Sequence, residues 1–572
     1  MREDVYKVVR AVYTNQDEMA KLSAEDRRLV EKTECEFRRS GLLLSQDKRE
    51  ELSQLKKQLA TIVQQFTRHV NEQVGKVWFT KDELMGMPAS FFEDRETVEE
   101  AGSVKYQVTT QYPDYIPLMK YAQSEATRKS MYVVYGTRCP ENVSLLQEAV
   151  DIRQKIAKML GYATHSQFMT EVLMSKTPEA VIEMETDMRA RLTPLAQQEL
   201  VELEALKKEH VEAAGQTYAG FYRWDLSFYN NLLMEKKHQI NSEQVKEYFP
   251  LAQVKQGILD IYQQMLSLRL IKVDNPDVWH PDVDLYEVWE ATEDTFVGHI
   301  YMDLFPRDNK YQHAACFYLR RGYEQEDGSR EYPAAALVTN FTKPTSTTPS
   351  LLTHREVETF MHELGHAFHH MCAQTKWACF QGTAGVERDF VECPSQMLEY
   401  WAWEPKVLQK FAHHYKTGDV IPVDLINKLV AAKNHGAGIL NIRQVFLGTI
   451  DTTIYNSTEP VDINSLYNRL GDEIGLISSG DTQTFSVATF GHIASGYDSR
   501  YYGYLWSESI AADLFKTRFM KDGIDNPQTG LDYRREILAP GGSRDAMDSI
   551  VKFLGRKPNN QAFLEFIGLS NN

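Results

Sequence analysis

Cysteine is scarce in this 572-residue sequence. The six cysteines are scattered and form no C-x-x-C pair, which argues against a disulfide scaffold and for a reducing compartment. An apolar run of roughly 18 residues is also absent, so no membrane-spanning helix is predicted. The first residues, MREDVYKVVRAVYTNQDE, carry charge every few positions and lack the apolar core of a signal peptide. We therefore expect a cytoplasmic protein that does not bind membranes.

Positive charge is the second shortage. The chain has 63 Lys and Arg residues against 80 Asp and Glu residues, a formal net charge of −17. Nucleic acids and anionic membranes select basic surfaces, so neither is expected as the main partner. An acidic surface can also serve solubility alone.

The spacing of apolar residues predicts a mainly helical protein. Helical spacing occupies the first 75 residues, returns over 115–270 and dominates beyond 350. Alternation predicts one short strand at 103–112, and strand-like segments cluster between 285 and 341. The expected class is mostly α, with a small β element just before residue 350. No repeat or low-complexity linker marks a domain boundary.

A capped helix is predicted immediately after the strand-like region. Thr353 followed by Glu356 has the T-x-x-E spacing of a capping box, which predicts a helix start. The residues that follow give this helix an apolar face at helical spacing: Val357, Phe360, Met361, Leu364 and Phe368.

The same helix contains the motif H-E-x-x-H within ETFMHELGHAFHHMC, residues 358–372. His362 and His366 stand four residues apart, so both imidazoles project from one helix face and can bind one metal ion. Glu363 follows the first histidine, where its carboxylate can reach a water at the metal. A helix that is merely rich in histidine would show the same five letters, so a third ligand has to decide between the two interpretations.

The third ligand is not fixed by spacing. The longer H-E-x-x-H-x-x-G-x-x-H pattern fails, because His369 and Cys372 occupy its last two defined positions. We expect His369 and His370 to be bystanders that the helical turn carries past the metal. A glutamate from a second helix could complete the site instead. The segment GVERDFVECPSQMLEYW offers four acidic candidates: Glu387, Asp389, Glu392 and Glu399.

Three blocks together resemble the M3 family of zinc metallopeptidases, and most closely its thimet oligopeptidase, neurolysin and saccharolysin group. They are TNFTKPTSTTPSLLTHREVETFMHELGH, VERDFVECPSQMLE and FGHIASGYDSRYYGYLWS, in the family's order. The resemblance runs from residue 1 almost to the end of the chain. It is more specific than the five-residue motif alone.

The resemblance implies a role for each matching residue. One zinc ion per chain would be bound by His362, His366 and Glu392. Glu363 would be the general base and acid. The residues implied to contact the substrate or stabilise the transition state are His492, Tyr497, Tyr504 and Arg388. Glu358, one turn before His362, is a candidate hydrogen-bond partner for a ligand histidine.

The resemblance also implies a two-lobed, neurolysin-like zincin fold, with a small β-sheet beside the active-site helix and a deep substrate channel. Residues 1–100 would be the N-terminal helical part of the upper lobe. Residues 101–565 would be the peptidase region, with the zinc-binding core at about 285–540. A channel admits short, unstructured peptides and excludes folded proteins, and we expect a monomer. The segment AAALVTNF, residues 334–341, could bind such a peptide as an added strand or could be an ordinary internal strand.

Three departures from the family pattern stand out. QGTAGVERD is one residue longer than usual, Ser495 replaces a glycine, and relatives begin with additional helices. A missing N-terminal segment would hide a mitochondrial address, although the present N-terminus is not Arg-rich and acid-poor. The alternative functions are a dipeptidyl carboxypeptidase, a mitochondrial processing peptidase and a non-catalytic peptide-binding protein.

Overall fold

A computed structural model describes residues 2–92, 95–100, 102–240, 242–307, 310–311, 313–345 and 347–569. Helices account for most of these residues, and three small sheets interrupt them. None of the helices in this part of the chain is both long and apolar enough to cross a membrane. The mainly helical class predicted from the sequence is confirmed.

The helical regions, the strand near 103–112 and the strand cluster at 285–341 agree with the apolar spacing, whereas the strands at 76–80, 97–100 and 268–272 were not predicted. As far as residue 272 the elements are α1 (Glu3–Thr14), α2 (Gln16–Lys21), α3 (Ala24–Arg39), α4 (Gln46–Glu72), β1 (Lys76–Thr80), β2 (Thr97–Glu100), β3 (Ser103–Thr109), α5 (Tyr112–Tyr121), α6 (Glu125–Gly136), α7 (Asn142–Met159), α8 (His165–Thr170), α9 (Pro178–Ala213), α10 (Leu226–His238), α11 (Ser242–Lys246), α12 (Leu251–Leu266) and β4 (Leu268–Lys272). The strand-rich region then contains β5 (Val283–Glu290), β6 (Phe296–Asp303), β7 (Ala315–Arg320), β8 (Tyr323–Glu324), β9 (Arg330–Glu331) and β10 (Ala334–Val338). The last part is helical: α13 (His354–Cys372), α14 (Gly382–Gly385), α15 (Cys393–Glu399), α16 (Pro405–Phe411), α17 (Val423–Ala432), α18 (Ala437–Asn456), α19 (Ile463–Gly475), α20 (Gly491–Ala494), α21 (Gly503–Leu514), α22 (Pro527–Tyr533), α23 (Ala546–Leu554) and α24 (Gln561–Phe566).

The largest sheet has five strands in the order β4, β5, β6, β10, β7, and it packs against α13. Strand β10 is internal, parallel to β6 and antiparallel to β7, and all five of its residues are buried. Of the two interpretations of residues 334–341, the ordinary internal strand is therefore confirmed and the added strand is wrong, because both edges of β10 are already paired. The outer edge on that side belongs to β7, most of which is exposed.

The described residues form four hydrophobic clusters, of which two are large. The first, here called the catalytic core, packs the five-stranded sheet against α12, α13, α16 and α21. The second, the helical core, joins α7, α9, α10, α18 and α19. Tyr400 and Phe566 are partly buried against both cores. The division of the chain into residues 1–100 and 101–565 remains a prediction.

Helix α13 begins at the predicted capping box. Thr353 Oγ1 accepts a hydrogen bond from the Glu356 backbone N–H at 3.1 Å, and Glu356 Oε2 accepts one from the Thr353 N–H at 2.7 Å. A cap of this kind is worth about 1 kcal/mol. The predicted apolar face packs into the catalytic core, and its members are at most 1% exposed: Val357, Phe360, Met361, Leu364 and Phe368. This packing fixes the rotation of the helix about its axis and therefore the direction of its histidines.

Candidate active site

Two histidines of α13 and the glutamate that precedes α15 converge on one point. His362 Nε2 lies 3.3 Å and His366 Nε2 lies 3.2 Å from the same oxygen, Glu392 Oε2. The two helices can approach this closely because Gly365 has no side chain. A Cβ at Gly365 would lie 2.8 Å from Ser395 Cα in α15, which is closer than carbon atoms pack. The glycine inside the histidine motif thus helps to bring the glutamate to the histidines.

These three donors fit a divalent metal ion. Their ligand atoms all lie within 4.8 Å of one another. Burial disfavours the Glu392 carboxylate, but hydrogen bonds from the two imidazoles outweigh burial and hold the pKa of Glu392 well below its usual range. An ionised carboxylate with two imidazole nitrogens is the donor set of catalytic zinc sites that keep a fourth position open.

Glu363 lies next to this donor set, and its side chain is buried. Burial raises the pKa of the Glu363 carboxyl, and the imidazoles of His362 and His366 oppose that rise. The backbone of Cys316, at the start of β7, lies beside the same carboxyl. A carboxyl group with a raised pKa, placed beside a metal site and a sheet edge, is suited to accept and return a proton.

A further carboxylate, that of Glu399, hydrogen-bonds the ring nitrogen of His362 that faces away from Glu392. Glu399 Oε1 lies 2.6 Å from His362 Nδ1, which leaves the Nε2 of that ring to face Glu392. Glu358, the candidate from the sequence, instead accepts a hydrogen bond from Trp403 Nε1 at 2.7 Å. The sequence identifies Glu399 only as a possible metal ligand. The available signal was its position two helical turns after Glu392, which places both carboxylates on one side of α15.

The residues predicted to contact the substrate lie together in the segment 491–504, here called the tyrosine loop, and beside it. The rings of Tyr497 and Tyr504 stack with their centroids 5.1 Å apart, and the His492 ring lies 5.4 Å from the first and 6.2 Å from the second. Arg388 stands over the Tyr497 ring at 5.0 Å. All four side chains therefore form one cluster.

This cluster adjoins the metal donors. Burial raises the pKa of Tyr504 far above its usual range, and the charge of Glu392 adds to the rise, which places the tyrosine near that carboxylate. Gln396 in α15 also donates to the Tyr504 carbonyl at 3.4 Å. The tyrosine loop thus borders the site beside Glu392 and α15.

Buried carboxylates hold the second half of the tyrosine loop in place. Asp451 in α18 accepts the backbone N–H groups of Ser499 at 2.8 Å and Tyr501 at 2.9 Å. Ser499 needs this support, because its φ of 59° is unfavourable for a residue with a side chain. Asp389, in the segment that carries the third metal donor, accepts a hydrogen bond from Tyr502 at 2.8 Å. The loop and the metal-binding segment are therefore directly connected.

The remaining acids and histidines of the two motifs lie away from the donor set. Glu387 pairs with Arg28 of α3 at 3.3 Å. His369 is completely buried beside Phe390, and burial lowers its pKa to about 3. His370 Nε2 lies 2.8 Å from the backbone carbonyl of Arg320. These positions agree with the expectation that both histidines are bystanders.

Comparison with known proteins gives consistent matches. A sequence model of peptidase family M3 matches residues 118–569. The chain is 39% identical to a thimet-like oligopeptidase of Dictyostelium discoideum, and the match covers 100% of this chain and 86% of that protein. It is 37% identical to saccharolysin of Saccharomyces cerevisiae, and that match covers 100% of this chain and 82% of that protein. Among solved structures, PZ peptidase A with an inhibitor has a similar fold, with a TM-score of 0.54 at 14% identity over 99% of this chain and 82% of that chain.

Proposed function

The chain belongs to peptidase family M3, and on that premise we propose that it hydrolyses internal bonds of short, unstructured peptides with one bound zinc ion. The observation that carries this proposal is the convergence of His362 Nε2 and His366 Nε2 on Glu392 Oε2, with Glu363 alongside. We assign His362, His366 and Glu392 as the zinc ligands. Among divalent ions, zinc suits two imidazoles and a carboxylate in a site with an open position.

A zinc ion at this site would make a water molecule acidic and polarise the carbonyl of the peptide bond. Glu363 is proposed to accept the proton of that water and later to donate it to the leaving amine. Its raised pKa suits both steps, because a carboxyl group that ionises nearer to neutral pH can hold a proton between them.

The tyrosine loop is proposed to bind the peptide and its developing negative charge. Tyr504 feels the charge of Glu392 and its ring lies beside that of His492, so we assign these two residues as donors to the oxyanion. Tyr497 and Arg388, which contact each other, would position the substrate. The open edge of β7 passes beside Glu363, and its unpaired backbone groups could bind an extended peptide as an added strand.

A requirement for an extended peptide favours short, unstructured substrates over folded proteins. We further propose that the protein works as a monomer in the cytoplasm. The support for a reducing compartment is the scarcity and scatter of the six cysteines in the sequence.

The test uses the purified chain, one short peptide blocked at both ends and mass spectrometry of the products. We expect one zinc ion per chain and internal cleavage that a chelator stops and added metal restores. Glu363→Gln should retain zinc and lose hydrolysis, because a neutral amide cannot accept the proton. Glu358→Gln, a matched change five residues earlier in the same helix, should retain both.

Several outcomes would contradict the proposal. Hydrolysis that persists in Glu363→Gln would exclude this residue as the base. Cleavage only after the C-terminal block is removed, two residues at a time, would indicate a carboxydipeptidase. Zinc binding without cleavage of any peptide would indicate a binding protein.

A further inference from the structure

A cavity of about 490 Å³ opens beside the first half of the tyrosine loop. Its walls come from α5, α6, α10, α18 and α19 and from the loop itself. His492 belongs to both places, because it lines the cavity and its ring lies 6.2 Å from that of Tyr504. A peptide bound beside Tyr504 could therefore extend a side chain or an end past His492 into this space.

The walls of the cavity are aromatic and positively charged. Tyrosine and phenylalanine rings from four of the helices and from the loop line it, and two arginines are present with no Asp or Glu among its lining residues in the described chain. One arginine is already neutralised, because Arg223 pairs with Asp472 at 2.7 Å and donates to the Ile477 carbonyl at 2.9 Å. The local charge thus comes from the other arginine, Arg443.

No carboxylate pairs with Arg443 among the described residues. Arg443 is exposed, and in the described part of the chain it has no ion pair and no hydrogen bond from its side chain. Burial raises the pKa of Tyr467 and Tyr501, and the Arg443 charge opposes that rise at both, so the guanidinium lies close to the two rings. An unpaired guanidinium among tyrosine hydroxyls, in a protein of net charge −17, favours an anionic ligand.

We propose that this cavity is a substrate subsite that binds a carboxylate of the peptide through Arg443. The proposal rests on the proposed peptidase function, since it assigns a specificity to the same site. The carboxylate belongs either to a Glu or Asp side chain or to the C-terminus of the peptide. Both sources present the planar pair of oxygens that a guanidinium binds with two parallel hydrogen bonds. The aromatic walls would pack against the carbon atoms that carry the carboxylate.

The test compares peptides that differ only in the position of one carboxylate. The parent peptide is neutral and blocked at both ends. One set of derivatives carries a single Gln-to-Glu change at each position in turn, and another derivative has a free C-terminal carboxylate. We expect the wild-type protein to give a higher kcat/KM for at least one derivative than for the parent. The preferred derivative identifies whether a side chain or the terminus is bound.

Arg443→Gln should reduce this preference about tenfold, the usual effect of removing one charge-assisted hydrogen-bonding partner. Arg443→Lys should retain part of the preference, and Arg443→Glu should shift it toward peptides with lysine at the same position. Arg469→Gln is the matched control, because it removes an exposed arginine from α19 outside the cavity. The preference for the carboxylate-bearing peptide over the neutral parent should also be measured as a ratio of binding affinities in the Glu363→Gln background, where hydrolysis does not interfere.

Two outcomes would overturn the subsite alone: a wild-type protein that cleaves the parent and its derivatives equally well, or a preference that survives Arg443→Gln. An equal loss in Arg469→Gln would also overturn it, because the effect would then be a general one of protein charge. If the wild-type protein cleaves no peptide at all, the proposed function itself fails, and the subsite fails with it.

Discussion

Replacing Glu399 tests how much of the metal affinity depends on a residue that does not touch the metal. The carboxylate lies 2.6 Å from His362 Nδ1, and it fixes both the orientation of that ring and the nitrogen left for the metal. Glu399→Gln keeps the length and an acceptor oxygen but removes the charge. Glu399→Ala removes the acceptor as well.

The expected magnitude follows from this contact. Loss of a residue that supports a ligand histidine typically weakens metal binding about 10- to 100-fold. A charge-assisted hydrogen bond is roughly twice as strong as a neutral one, so glutamine should retain about half of the effect. We therefore expect about tenfold weaker zinc binding in Glu399→Gln, or about 1.4 kcal/mol, and about 100-fold in Glu399→Ala.

The assay is competition for zinc between the protein and a chromophoric chelator, with unfolding of the metal-free protein measured in parallel. Burial raises the pKa of Glu508 to about 7, and the charges of Glu399 and Glu358 add to that rise. Because the carboxylates of Glu358, Glu399 and Glu508 repel one another, removing the charge of Glu399 should not destabilise the metal-free fold. Lower zinc affinity can thus be separated from misfolding.

Glu358→Gln serves as the control, because Glu358 bonds Trp403 and not a histidine. Its zinc affinity should stay within about twofold of the wild type. Our assignment would be refuted by equal losses in Glu358→Gln and Glu399→Gln, or by an unchanged affinity in Glu399→Ala.

Three further predictions concern the ligand, the oxyanion donor and pH. Glu392→Ala should empty the metal site while Glu387→Ala leaves it filled, as measured by metal content; the reverse result would move the third ligand. Tyr504→Phe should lower kcat about 10²–10³-fold with little change in KM, because the lost donor acts in the transition state; a normal kcat with a raised KM would make it a binding residue. Burial raises the pKa of Asp451 to about 7. Between about pH 4 and 7 the Asp451 carboxyl is therefore protonated in the folded state but ionised in the unfolded state, so the free energy of unfolding falls as the pH rises through that range. Chemical unfolding at pH 5 and pH 7.5 should therefore show a larger loss of stability in the wild type than in Asp451→Asn, and equal losses would exclude this titration.

The sequence predicted α13 well because its signals are local. The capping box requires only residues 353–356, and the apolar face requires only helical spacing over the next turns. The two histidines lie on one face for the same reason. The resemblance to the M3 family named Glu392, whereas spacing left four acids open. The structure separates them by long-range partners, such as Arg28 of α3 for Glu387.

The sequence left open whether the strand at 334–338 is internal or accepts the substrate at a free edge, because edge and interior strands differ in their neighbours, which lie far away in the chain. Its AAALV sequence has no alternation of polar and apolar residues, and that composition is typical of a strand buried on both faces. Applied strictly, this rule would have favoured the interior position. The exposed edge is β7, whose partner β10 approaches only after the intervening β8 and β9 hairpin has turned the chain back.

The interleaving of the two cores has a consequence for biosynthesis. The helical core combines Phe66 with residues as late as Ile567, and the catalytic core combines Met174 with residues as late as Phe553. At about 5–20 residues per second, a ribosome needs about half a minute to two minutes to make a chain of this length. During that time neither core is complete, and the apolar faces of α7, α9 and α12 remain exposed because the residues they pack against have not been synthesised. Nascent chains should therefore depend on chaperones until translation ends, and a premature stop anywhere before α21 would leave both cores incomplete.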